Sequence, residues 1–303
     1  MDMNLIQEIQ QLKKEKNAVI LAHYYVPDEI QAVADLIGDS YYLSKEATRT
    51  DAQVLVFCGV SFMGESAKLL NPEKTVLLPE PAASCPMAEM AVPEKIQAVR
   101  AQYEDLAVVC YINSTAEIKA CCDVCVTSAN AQKIVAALPQ KNIYFVPDEN
   151  LARYIASQLP DKHFIFNPGY CHVHKDITAQ AVAQAKKAHP GAPVLMHPEC
   201  TPDALALADY IGSTSGILSY ATQQPDKEFL IATEIGIFYE LKKRNPDKVF
   251  YPITEHQVCP DMKLITLEKI RHVLLTGENA LSVSEDLRNK ASKPLDQMLA
   301  LAK

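Results

Sequence analysis

The chain has 303 residues, 49% hydrophobic and 22% charged, with a formal net charge of −8. That is ordinary globular composition in a length suited to two or three domains. The scattered Lys and Arg form no basic stripe, which excludes a nucleic-acid surface, and no apolar run approaches the roughly 18–20 residues of a membrane span.

The chain opens on an amphipathic helix, with Leu5, Ile6, Ile9 and Leu12 on one face. It has no apolar core of the signal-peptide kind, so a soluble cytoplasmic protein is expected. In that compartment thiols stay reduced. The nine cysteines are therefore read as buried apolar residues, metal ligands or nucleophiles.

An internal repeat sorts them. Short apolar runs at 18–23, 107–111 and 193–197 read as buried parallel strands ending on His23, Tyr111 and His197. Seventeen residues after these come Ser40, Ser128 and Thr214, and forty-nine after them Pro72, Pro160 and Pro246, each in a Pro-acid-Lys context. A second apolar run and then a cysteine follow each proline: Cys85, Cys171 and Cys259. Each unit reads as a leading helix, strand, helix, short strand ending in Ser or Thr, helix, strand, helix and last strand. Helices at 129–138 and 235–244 are examples. Strands alternating with helices predict a parallel sheet covered on both faces.

The expected fold is α/β: three homologous three-layer α/β/α units around a pseudo-threefold axis. The units span 1–86, 87–172 and 173–259. Residues 260–303 add two helices, roughly 266–275 and 281–301, expected to pack back on the first unit.

Ligands of parallel α/β sheets sit beyond the carboxyl ends of the strands. Equivalent residues of three such units would converge there. Two residues beyond each origin stand Tyr25, Asn113 and Glu199, all able to hydrogen-bond, with the tyrosine and glutamate also able to move protons. Ser40, Ser128 and Thr214 precede helices, where a hydroxyl caps and the free N–H groups favour an anion. Carboxylate or phosphate binding by these positions would serve a chain without an arginine cluster. Three converging thiolates suit zinc with a water as fourth ligand, or three irons of a [4Fe–4S] cubane with the fourth iron open.

Other signals are discounted. Cys121, Cys122 and Cys125 contain a Cys-x-x-Cys, but it follows a helix rather than opening one, so buried packing is expected, as for Cys58 and Cys110. Cys171-His172-Val173-His174 lacks a second ligand pair, leaving His172 and His174 as outer-sphere or exposed residues. Gly59 to Ser66 lacks the Lys-Ser/Thr ending of a phosphate loop, and no Gly-x-Gly-x-x-Gly occurs.

The motifs Leu21-Ala22-His23-Tyr24-Tyr25, Gly38-Asp39-Ser40, Cys125-Val126-Thr127-Ser128-Ala129-Asn130, Met196-His197-Pro198-Glu199-Cys200 and Cys259-Pro260-Asp261-Met262-Lys263, in this order and spacing, resemble the quinolinate synthase (NadA) family. The resemblance covers about residues 18–275. It implies three domains about a pseudo-threefold axis and a [4Fe–4S] cluster on Cys85, Cys171 and Cys259 with one open iron acting as a Lewis acid. It implies condensation of iminosuccinate (iminoaspartate) with dihydroxyacetone phosphate to quinolinate, phosphate and two waters in NAD biosynthesis. Functional coupling to an L-aspartate oxidase or aspartate dehydrogenase follows from that chemistry. Substrate-binding positions fall on His23, Ser40, Tyr111, Asn113, Ser128, His197, Glu199 and Thr214. The catalytic tyrosine falls on Tyr25, with His23, His197 and Glu199 as further proton carriers. Val26 and Asp261 stand where Gln and Asn are common in the family. Cys259-Pro260-Asp261-Met262 lacks the extra Cys-x-x-Cys of some members, so no redox switch is expected there. The competing readings are a zinc-dependent aldolase or hydrolase on the same thiolates, and a small-ligand-binding module with structural cysteines.

Overall fold

The computed structural model describes residues 3–303. The first unit runs α1 (Met3–Glu15), β1 (Ala18–His23), α2 (Asp28–Val33), β2 (Leu36–Gly38), α3 (Ser40–Arg49), β3 (Val54–Cys58), α4 (Ser61–Leu70) and β4 (Thr75–Leu77). The second runs α5 (Pro93–Arg100), β5 (Leu106–Tyr111), α6 (Ala116–Lys119), β6 (Val124–Val126), α7 (Ala131–Ala137), β7 (Asn142–Val146), α8 (Glu149–Gln158) and β8 (His163–Phe166). After α9 (His172–Lys175), the third repeats the order as α10 (Ala179–Ala188), β9 (Val194–Met196), α11 (Pro202–Leu205), β10 (Tyr210–Ile211), α12 (Thr214–Gln223), β11 (Glu228–Ala232), α13 (Phe238–Arg244) and β12 (Val249–Pro252).

Each unit holds one parallel four-stranded sheet, in the orders β2-β1-β3-β4, β6-β5-β7-β8 and β10-β9-β11-β12. The protein is thus α/β with three parallel sheets, as the strand–helix alternation predicts. The third sheet shows why its strands are apolar throughout. Leu195, Phe229 and Ile231 enter one core, while Val194, Met196, Leu230 and Ala232 enter another. Successive side chains point to opposite faces, and both faces are covered.

Polar contacts repeat along with the strands. Asp35, Asp123 and Asp209 each accept the backbone N–H of a central strand, from Ile20 at 2.7 Å, Val108 at 2.7 Å and Val194 at 2.8 Å. The Pro-acid-Lys motif also gains a physical role. Lys74 donates to the carbonyls of Ala47 and Thr50, Lys162 to Leu138 and Gln140, and Lys248 to Ala221 and Gln224. Each lysine therefore satisfies carbonyls left open at the end of α3, α7 or α12.

The hydroxyl positions differ from the sequence reading. The short strands stop before them, and Ser40 and Thr214 are the first residues of α3 and α12 rather than their caps. Capping falls to Asp39, which accepts from Tyr42 N–H, and to Ser213, which accepts from Gly216 N–H. Ser128 lies three residues before α7. A separate cap leaves the hydroxyls of Ser40 and Thr214 available for other partners.

The chain ends with α14 (Leu267–Thr276), packed on α1, and α15 (Glu285–Leu301), packed on α4, α6 and β6. Among the described residues no helix is long and apolar enough to cross a membrane.

Candidate active site

His23 and Tyr111 end the central strands β1 and β5, and His197 follows β9 by one residue. Their side chains enter one cavity. Tyr25 and Ser40 join it from the first unit, Asn113 and Ser128 from the second, and Glu199 and Thr214 from the third. Cys85, Cys171 and Cys259 line the same cavity. Every strand-end, hydroxyl and terminal cysteine position singled out by the repeat is therefore in its wall, while the three repeat prolines are not. Asn113 Oδ1 and Thr127 Oγ1 are buried there without a hydrogen-bond partner. Unsatisfied buried acceptors of this kind are costly and mark places for a ligand group.

The two strand-end histidines are built alike. His23 Nδ1 accepts the N–H of Tyr25 at 3.2 Å, and His197 Nδ1 accepts the N–H of Glu199 at 3.4 Å. This assigns the proton of each neutral ring to Nε2. His197 Nε2 lies 3.2 Å from Ser128 Oγ. Burial lowers both histidines to about 3, assisted at His23 by the Lys263 ammonium and at His197 by His174 and His23, against an opposing pull from Glu199.

Tyr25 closes another side. Its hydroxyl is 2.7 Å from Thr214 Oγ1 and 2.8 Å from Thr233 Oγ1. Burial pushes its phenol well above the ordinary value. Thr233 Oγ1 is also 2.9 Å from His174 Nε2, and His174 Nδ1 is 2.7 Å from Glu199 Oε2 and 3.3 Å from Cys171 Sγ. Tyr111 donates to Glu199 Oε1 at 2.5 Å. Burial would raise Glu199, but His174 and His197 outweigh it and keep the carboxyl below its usual range. The result is a continuous polar line from Tyr25 through Thr233 and His174 to Glu199 and Tyr111.

His174 and Thr233 were not selected in the sequence. His174 is only 2% exposed and lies beside the Cys171 sulfur, so of the two expectations for it the outer-sphere position agrees with the geometry and the exposed one does not. It stands three residues after Cys171 on α9, where one helical turn brings its ring back beside the sulfur.

The cysteines sit on similar local structures. Cys85 opens a short 3-10 turn at Pro86–Glu89, Cys171 opens α9, and a 3-10 turn at Asp261–Leu264 follows Cys259. Backbone N–H groups of these turns favour the thiolate form of the sulfurs, those of Met87 and Ala88 at Cys85, of His174 at Cys171, and of Asp261 and Met262 at Cys259, against the larger opposing effect of burial. The incoming loops are held as well. Asp148 accepts the N–H of Cys171 at 3.2 Å, and Glu234 accepts that of Cys259 at 3.0 Å. Asp148 and Glu234 lie at one offset from Tyr111 and His197, a signal the repeat contained and the reading did not use. The first unit has Val60 there, and Asp261 of the chain's end instead accepts the N–H of Ser84 at 3.0 Å.

This donor set fits a thiolate-held metal group. Burial raises Cys85 to about 12 and Cys259 to about 11, and lifts Cys171 well above its ordinary value. Protons would thus stay on the free thiols until a metal displaced them. Backbone N–H donors to the sulfurs are the contacts that stabilise bound thiolates. Among the described residues no fourth cysteine lines the cavity.

Three of the cysteine group Cys58, Cys110, Cys121, Cys122 and Cys125 are fully buried, namely Cys58, Cys110 and Cys125, whereas Cys121 and Cys122 are half-buried. None lines the cavity.

Residues 7–300 match the protein family described as Quinolinate synthetase A protein. A quinolinate synthase of Clostridioides difficile is 52% identical over 302 residues, covering 100% of this chain and 99% of that protein. Quinolinate synthases of Fusobacterium nucleatum and Thermodesulfovibrio yellowstonii are 51% and 48% identical over 294 and 296 residues. They cover 97% and 98% of this chain and 98% of each of those proteins.

Proposed function

Because the chain belongs to the quinolinate synthetase A family, we propose that it is a cytoplasmic quinolinate synthase that joins iminosuccinate to dihydroxyacetone phosphate. The products are quinolinate, inorganic phosphate and two waters, which balances the atoms of the two substrates. The convergence of three repeat-selected thiols and the diverged strand-end residues on one cavity carries this reading. The supply of iminosuccinate calls for an enzyme that oxidises aspartate, an L-aspartate oxidase or aspartate dehydrogenase.

Cys85, Cys171 and Cys259 would hold a [4Fe–4S] cluster, whose open iron supplies a Lewis acid for substrate oxygen. The remaining work belongs to side chains. Ser128, Asn113 and Thr214 bind substrate carboxylates. Ser40, at the start of the ten-residue α3, binds the phosphate or a carboxylate with the help of free N–H groups. Asn113 binds through its Nδ2–H donors, and its unpartnered Oδ1 accepts from a substrate N–H or O–H.

Proton movement falls to Tyr25, His23, His197 and Glu199. The low proton affinity of the two histidines keeps them neutral, so each presents an Nε2–H that can donate and then recover its proton. Glu199 stays ionised and draws on the Tyr111 hydroxyl and the His174 ring. Tyr25 gives or takes a proton at its hydroxyl, with Thr214 and Thr233 holding it in place.

One observation favours a second reading. Ligand atoms of Cys171, His174 and Glu199 lie within 4.8 Å of one another, a set that suits a single zinc ion and hence a zinc-dependent aldolase or hydrolase. Iron, sulfide and zinc analysis of anaerobically purified protein decides between them. The cluster reading expects about four irons and four sulfides per chain; stoichiometric zinc without sulfide would replace it.

A further inference from the structure

Asp39, Thr127 and Ser213 each stand one residue before the hydroxyl positions Ser40, Ser128 and Thr214. Two of the three are engaged within the protein. Asp39 Oδ1 accepts the N–H of Tyr42 at 2.9 Å, and its Oδ2 accepts the Ser215 hydroxyl. Ser213 Oγ accepts the N–H of Gly216 at 3.1 Å. Both side chains therefore cap the helix that follows. Thr127 has no such task, because α7 starts only at Ala131. Its hydroxyl oxygen is buried without a hydrogen-bond partner among the described residues. The residue is 4% exposed and lines the cavity.

The rest of Thr127 is committed. Its N–H donates to Asn130 Oδ1 at 2.7 Å. Its carbonyl accepts from the N–H groups of Asn130 at 3.1 Å and Ala131 at 2.9 Å. One residue earlier, the Val126 carbonyl accepts the N–H of Ile112 at 2.8 Å, which ties this turn to the chain leaving β5. Backbone bonds and the Asn130 amide thus fix the turn, and the Thr127 hydroxyl has no part in it. A buried hydroxyl held without a partner costs stability. A ligand atom that completes the bond offsets that cost.

The neighbouring hydroxyl points to the ligand's chemistry. Ser128 Oγ lies 3.2 Å from His197 Nε2. The ring proton of His197 is on Nε2, since Nδ1 accepts the N–H of Glu199 at 3.4 Å. Ser128 therefore accepts from the ring and keeps its own O–H to donate. Thr127 and Ser128 offer two O–H donors from consecutive residues, both in the cavity wall. Two such donors suit the two oxygens of a carboxylate. A phosphate is better served at Ser40, where the ten-residue α3 adds free N–H groups.

We propose that Thr127 is a further substrate-binding residue, whose hydroxyl donates to the substrate carboxylate that Ser128 also holds. The assignment rests on the quinolinate synthase reading and extends that site by one donor. The same repeat position caps a helix in two units and serves the ligand in the third.

The test compares Thr127→Val and Thr127→Ser in anaerobically purified protein, with quinolinate as the probe. Valine keeps the branched shape and loses the hydroxyl. Without ligand, the urea midpoint of Thr127→Val should hold or rise, since an unsatisfied buried group is removed. Ser213→Ala should lower it, because that side chain is a cap. Calorimetry should show quinolinate binding weakened about tenfold or more in Thr127→Val, as for a lost hydrogen bond to a charged group. Thr127→Ser should bind nearly as the original does. A midpoint of Thr127→Val that falls as far as that of Ser213→Ala would make the hydroxyl structural and overturn the assignment. So would equal quinolinate affinity in Thr127→Val and the original protein, or a loss confined to the KM for dihydroxyacetone phosphate. Failure of the original protein itself to bind quinolinate would remove the functional reading, and this assignment with it.

Discussion

His174 Nδ1 lies 2.7 Å from Glu199 Oε2, with both side chains buried. A carboxylate at that distance assigns the ring proton to Nδ1. The free Nε2 then accepts from Thr233 Oγ1 at 2.9 Å, and Thr233 in turn accepts from Tyr25. Glu199 thereby influences the Tyr25 hydroxyl through two intermediates. Glu199→Gln should lower kcat by about 10²–10⁴ while the iron content stays the same. An unchanged kcat would remove Glu199 from proton transfer.

Tyr25→Phe deletes one hydroxyl and its contacts with Thr214 and Thr233. The ring keeps its edge-on packing against His23, with centroids 4.5 Å apart. The variant should therefore fold and keep the absorption of the proposed cluster, yet lose about 10²-fold or more in kcat. Full activity would make Tyr25 a structural residue.

Replacement of Cys85, Cys171 or Cys259 by Ser should abolish the visible absorption of the proposed cluster. Cys121→Ser should leave it intact, since Cys121 lies outside the cavity and donates to the Glu117 carbonyl. Retained iron and sulfide in a Cys171→Ser protein would refute the ligand assignment.

Acid stability follows from His23 and His197. Both are lowered to about 3 in the folded state, chiefly by burial, from an ordinary value near 6.5. Between those limits the unfolded chain binds protons that the folded chain refuses. Their contribution is complete above about pH 6.5 and is lost as pH falls towards 3, by up to about 1.4 kcal/mol per pH unit for each group. Urea midpoints of metal-free protein should fall from pH 7 to pH 4, and less steeply in a His23→Gln, His197→Gln double variant. Equal slopes would contradict the assignment.

Lys162→Met should destabilise the second unit without touching the cavity. It removes the hydrogen bonds to Leu138 and Gln140, worth about 1.5–3 kcal/mol as bonds to a charged donor. The urea midpoint should drop while kcat of the folded protein holds. An unshifted midpoint would mean that water replaces the lysine at no cost.

Much of the architecture was legible because strand and helix periods are local. Apolar runs ending on His23, Tyr111 and His197 gave the central strands, and the alternation gave three parallel sheets. The hydroxyl positions were misjudged by one residue at α3 and α12, because Asp39 and Ser213 compete for the cap and win. His174 was left aside because a lone histidine after a cysteine has no local mark of burial. Asp148 and Glu234 carried the repeat's own signature, but a carboxylate that accepts a loop N–H has no distinctive neighbours in sequence.

The sequence by itself determined the threefold register and, through it, which cysteines of the nine stand at equivalent ends. Periodicity and spacing are enough for that, since each unit folds from its own contiguous strands and helices. Only the tertiary structure decided which side chains touch. Tyr25 meets Thr233 across 208 residues, Ser84 meets Asp261 across 177, and His174 meets Thr233 across 59. No local pattern encodes such contacts; they arise when three sheets present their carboxyl ends to one cavity.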